Sequence, residues 1–109
     1  MSPTTSQTLL RAVLSTVARQ TFPEPRLRDI VLSRGAGANQ LVAFNMCNGS
    51  KTQGDVAKAT GLDPGNFSRT VARWIDLGVM FKVGEGREAK LQHVYQLPAN
   101  GESSKERDR

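Results

Sequence analysis

From Ser6 onward the apolar residues recur at the spacing of a helix. Leu9, Leu10, Val13, Leu14, Val17 and Ala18 form a continuous stripe over 6–20, with Gln7, Arg11 and Arg19 off it or at its margin. Phe22-Pro23-Glu24-Pro25 interrupts that helix, and Pro25 suits the first turn of another. Leu27, Ile30 and Val31 then share one face from Arg26 to Arg34, closed by Gly35-Ala36-Gly37. A third helix is expected over 38–48 with Leu41, Val42, Phe44 and Cys47 apolar, and Asn48-Gly49-Ser50 reads as a turn. Two shorter helices follow. Thr52 can cap the first, with Asp55 three residues on as its partner, Val56 and Ala57 as a small apolar patch and Gly61 as a left-handed end. Asp63-Pro64 starts the second, whose apolar residues are Phe67, Val71, Trp74 and Ile75, with Leu77 near the Gly78 stop. The residue types then turn to β-formers at Val79–Val83 and Leu91–Leu97, around a charged, glycine-bearing tip over 84–90.

Two helices joined through a glycine and followed by a hairpin make the winged-helix arrangement. The segment resembles the broad MarR-like group of winged helix-turn-helix proteins, which often carry T-Q-x-E-L-A, then G-L, V-S-R-x-V-x-x-L and G-L-I. The counterparts here are Thr52-Gln53-Gly54-Asp55-Val56-Ala57, Gly61-Leu62, Phe67 to Trp74 (F-S-R-T-V-A-R-W) and Gly78-Val79-Met80. The resemblance covers rather under half the chain. It implies an α+β fold, with a three-helix core, a hairpin wing and added N-terminal helices. The expected organisation is a frayed 1–5, N-terminal helices for dimerisation or support over 6–37, a winged domain over 38–97 and a disordered tail over 98–109. That tail has no apolar residue beyond Ala99 to offset the entropy of ordering it.

At 109 residues the chain is one domain with a modest core. Fifteen Lys and Arg against ten Asp and Glu give +5, which favours a polyanionic partner without requiring one. Residues 51–97 carry seven of those bases and five of the acids, so the placement of single charges matters more than their sum. One cysteine, Cys47, allows no intrachain disulfide and points to a reducing compartment; the cytosol or nucleoid is the default, with no membrane segment or signal peptide in the sequence.

The candidate chemistry lies on the second short helix. With Phe67, Val71 and Trp74 inward, Gly65, Asn66, Ser68, Arg69, Thr70 and Arg73 fall near its outer face. A helix of that kind fits a major groove, where Arg69 can read guanine and Asn66 adenine by bidentate bonds; Ser68 and Thr70 suit a phosphate or a base edge. Arg73, Thr52 and Gln53 suit phosphates. At the wing, Arg87 and Lys90 can meet the backbone or a minor groove, opposed by Glu85 and Glu88. Gly65 weakens the helix by about 1 kcal/mol relative to alanine. It fits close approach to DNA, and equally a winged helix put to another use.

Two departures from the family pattern bear on partners. Ile75 and Leu77 stand where charged residues are usual; they either pack under the N-terminal helices or join a subunit contact. The stripe Leu9, Leu10, Val13, Leu14, Val17 either packs on its own domain or, as expected here because one small domain has little core for it, forms a homodimer interface. Catalysis finds little support: His93 is the sole histidine and reads as a hairpin surface or edge residue, no metal-ligand cluster is present and no cofactor is implied. The expected function is sequence-specific binding of double-stranded DNA, as a repressor-like transcriptional regulator. The alternatives are a winged-helix protein-interaction module in a larger assembly and a DNA-binding accessory factor of replication or a mobile element.

Overall fold

The computed structural model describes residues 4–32 and 37–98. Five helices and a three-stranded antiparallel sheet share one core: α1 (Thr5–Thr21), α2 (Glu24–Val31), α3 (Ala38–Met46), β1 (Asn48–Thr52), α4 (Gln53–Thr60), α5 (Pro64–Asp76), β2 (Met80–Val83) and β3 (Lys90–His93), with a single 3-10 turn at Gly86–Glu88 between the last two strands. The strand order is β1-β3-β2, so β3 lies in the middle. The fold is α+β. Among the described residues no helix is long and apolar enough to cross a membrane.

The core forms behind α5. Trp74 is fully buried and meets Phe44 of α3 edge-on at 5.2 Å between ring centres, and Phe67 one helical turn back at 6.1 Å. Val71, Val56, Leu41, Met80 and Leu91 close around them. The N-terminal helices belong to the same core and are not a separate unit: Ala18, Leu27 and Val31 are buried in it, with Leu14, Phe22 and Ile30 packed against it.

Several boundaries differ from the sequence expectation. Thr4 and Thr5, expected within the frayed 1–5, stand at the start of α1, where Thr4 and Gln7 form a reciprocal capping box. Expected helix positions 33–36, the N-terminal residues 1–3 and the expected tail beyond Pro98 lie outside the described residues. Asn48-Gly49-Ser50 is an edge strand and not a turn; its polar sequence gives no alternation, but β3 offers a free edge, and Gly49 at φ +90° sits where the register shifts. The last strand stops at His93 and not at Leu97. Beyond it one backbone bond remains, from the Val94 N–H to the Val79 carbonyl at 3.2 Å, and side chains hold the rest: Asn45 bonds both the N–H and the carbonyl of Leu97 (2.9 and 2.8 Å), and Tyr95 donates to the Phe22 carbonyl at 2.5 Å. Arg19 stacks over the Tyr95 ring at 4.2 Å, and Arg28 donates to the Pro98 carbonyl.

Leu14 and Ala18 turn α1 inward, so Leu14 serves the chain's own core and not the dimer face assigned to it. Leu9, Leu10, Val13 and Val17 keep 56–67 % of their surface exposed. With 100° between successive residues, Ser6, Thr16 and Gln20 share their side of the helix, and this side carries no charge. Ile75 and Leu77 do not pack under the N-terminal helices, being 36 % and 46 % exposed.

His93 is the clearest reversal. It is buried, paired with Met80 across the sheet and 5.4 Å from the Phe44 ring, and neither ring nitrogen completes a hydrogen bond. Desolvation lowers its pKa from the ordinary histidine value, against weaker opposing effects of the His93 and Asn45 backbone. Cys47, buried beside it in sequence-distant packing, has its thiol pushed up to about 12 by desolvation and donates to the Ala43 carbonyl. The lowered histidine pKa fixes a sign. Above about pH 6.5 the imidazole is neutral in both states and the stability is complete. As pH falls from there toward the folded-state value, the unfolded chain takes up a proton that the folded chain refuses, and stability drops. Urea midpoints between pH 7.5 and 5.5 should therefore fall in the wild type and fall less in His93→Phe; equal slopes would contradict the buried neutral ring.

Candidate nucleic-acid interface

Local capping fixes the two helices that carry the candidate residues. At the start of α4 the Thr52 hydroxyl accepts from the Asp55 N–H at 3.1 Å, and the Asp55 carboxylate accepts from the Thr52 N–H at 3.5 Å. This leaves the N–H groups of Gln53 and Gly54 without partners inside the helix, as first-turn donors are. Gly61 ends α4 at φ +72°, with open space where a Cβ would stand, so its value lies in backbone conformation alone. Asp63 starts α5, accepting from the Asn66 N–H at 2.9 Å, with Pro64 in the first turn.

Trp74, Phe67 and Val71 then set the roll of α5 about its axis. The direction opposite the buried face runs through Gly65, Arg69, Ala72 and Asp76, so Arg69 stands between two small neighbours, with the acidic Asp76 at the end of the helix. Arg69 Nη2 donates to Asn66 Oδ1, one turn back on the exposed surface. Ser68 and Thr70 fall on opposite flanks, Ser68 exposed and Thr70 half-buried, and Arg73 is half-buried further along.

Ser68 faces a small cleft of about 240 Å³ shared with Gln53, Val71, Ala72, Ile75 and Lys82. Gln53 and Lys82 also line a larger open cleft of about 630 Å³, between the start of α4 and the hairpin, with Thr52, Gly54, Gly84, Gly86, Arg87, Ala89 and Leu91. The two clefts thus adjoin through Gln53 and Lys82, joining α5, the start of α4 and the hairpin tip into one surface. Lys82 and Arg87 are the charged residues that line it, and both are basic. Such a surface can hold anionic oxygens by cations and by amide donors together.

The structure thus brings together Thr52, Gln53, Ser68 and Arg87, and it pairs Asn66 with Arg69 on the adjoining face. Lys90 it sets apart. Opposite residues of the β2–β3 ladder share a face, so Lys82 and Leu91 point one way and Val83 and Lys90 the other. The Lys90 ammonium donates to the Glu88 carbonyl at 3.3 Å, away from the cleft. Lys82 is the residue that the sequence reading missed. Its place on the cleft side follows from its pairing with Leu91 across the sheet, a register that so short a strand does not give away.

Among the described residues no group of three or more His, Cys, Asp and Glu side chains could hold a metal ion. Comparison with known proteins finds no matching family model, no matching curated protein and no matching solved structure.

Proposed function

We propose that the chain is a winged helix of the broad MarR-like kind that binds duplex DNA in a sequence-specific way, with α5 in the major groove and the β2–β3 hairpin as the wing. The observation that carries this reading is the joined surface of α5, the start of α4 and the hairpin tip, lined by Lys82 and Arg87 with no acidic side chain. A helix presenting Arg69 and Asn66 between small neighbours suits base edges, while Lys82, Arg87, Gln53 and the first-turn amides of α4 suit the phosphates on either side. The function in that case is transcriptional control by occupying a promoter.

In the same reading the protein works as a homodimer through the uncharged outer side of α1. A two-fold interface sets each residue near the axis against its own copy, and a face without charges avoids like-charge contacts there. The DNA site is then an inverted repeat with half-sites about one helical turn apart. A second reading, a winged helix that docks a protein, draws on the exposed Ile75, Leu77, Phe81 and Val83. Phe81 and Val83 lie on the sheet face that also carries Lys90, opposite the basic clefts.

Retention of random duplex DNA across a salt series separates the two. Wild type should bind with a steep salt dependence, and Lys82→Ala and Arg87→Ala should each lower the slope by about one unit, as loss of one phosphate contact does. Unchanged affinity and slope in both variants would remove the basis for the DNA reading. Sedimentation velocity tests the dimer. Wild type should run as a dimer and Val13→Glu as a folded monomer with unaltered helical content, since Val13 is already exposed; a monomeric wild type would contradict the α1 interface.

A further inference from the structure

The contact between Arg69 and Asn66 bears on which base the surface reads, and the inference rests on the DNA reading above. From sequence each residue is a reader in its own right, arginine of guanine and asparagine of adenine. The structure joins them: Arg69 Nη2 donates to Asn66 Oδ1. Reading adenine in bidentate fashion needs that same amide oxygen, to accept from the N6 amino group. In this chain one of that oxygen's two lone pairs is taken by a cation on its own helix, and this charge-assisted bond, stronger than the neutral one that adenine would offer, turns the amide toward Arg69. Asn66 is itself held, because its N–H is tied to the Asp63 carboxylate at 2.9 Å and it stands in the first, capped turn of α5.

Arg69 gains from the arrangement what a long side chain lacks. The neighbours Gly65 and Ala72 on either side are small, and the side chain to which Arg69 bonds is Asn66. A guanidinium carries five N–H donors, and one bond to Asn66 leaves an edge free for guanine O6 and N7. We infer that Asn66 is a positioning residue for Arg69, and that this part of α5 specifies one guanine and not an adjacent adenine and guanine.

The test is selection from random duplex DNA followed by sequencing, with affinities measured on the selected site at one salt concentration. The proteins are wild type, Arg69→Ala, Asn66→Ala, Asn66→Asp and the double variant Asn66→Ala/Arg69→Ala, each checked for folding by urea denaturation. Arg69→Ala should erase a guanine preference of roughly 5- to 150-fold at one base pair. Asn66→Ala should weaken preference at that same base pair by roughly two- to tenfold, the cost of ordering a free side chain. Asn66→Asp keeps the acceptor oxygen and should restore the preference, and the double variant should match Arg69→Ala. Loss of an A·T preference at a different base pair in Asn66→Ala, with the guanine preference intact, would overturn the inference and make Asn66 a direct reader. Additive losses in the double variant would overturn it too. Duplex bound without any base preference would overturn it while leaving DNA binding in place, whereas no binding by wild type would overturn both.

Discussion

The edge-on packing of Trp74 between Phe44 and Phe67 is the contact on which the remaining geometry depends. An indole of this size, wholly buried, allows α5 only one rotation about its own axis. With that rotation fixed, Arg69 must stand opposite the core, and Ser68 must face the cleft that Gln53 and Lys82 share. Phe44 comes from α3, so the same contact ties the outward face of α5 to the helix that also supports His93 and, through Asn45, the segment after β3 at Leu97. The outer surface of α5 is in this sense a consequence of its inner one.

The hairpin is positioned by a second, weaker constraint. β3 pairs on both sides, with β1 and with β2, and β1 leads without a break into the capped start of α4. The tip that carries Arg87 is therefore tied through the sheet to Thr52 and Gln53, which is why residues far apart in sequence line one cleft. Gly84 and Gly86, at φ +98° and +67°, let the chain turn back within that short connection. Helix α1 uses its inner positions Leu14 and Ala18 to close the core and leaves Leu9, Leu10, Val13 and Val17 outward.

What could be read from the sequence was whatever has a local physical cause. The caps Thr52 and Asp63, the stops Gly61 and Gly78 and the inward set Phe67, Val71 and Trp74 each follow from neighbours within a few residues, and all stand in the structure as expected. Features that depend on distant partners were not legible. β1 has a polar sequence and is a strand only because β3 lies beside it, and His93 is buried only because α3 covers it. At the candidate site the α5 residues followed from helical geometry. The separation of Lys90 from Arg87 and the inclusion of Lys82 required the strand register, which alternation over four residues leaves open.

In the proposed function one face, made of α5, the start of α4 and the hairpin tip, binds duplex DNA. Backbone amide chemical-shift mapping during titration with a selected duplex tests it most directly. The largest shifts are expected at Gln53, Gly54, Asn66, Arg69, Lys82 and Arg87, with the amides of Leu9, Leu10, Val13 and Val17 on α1 left unperturbed. Shifts concentrated on α1, or on the Phe81 and Val83 face of the sheet, with α5 silent, would contradict it.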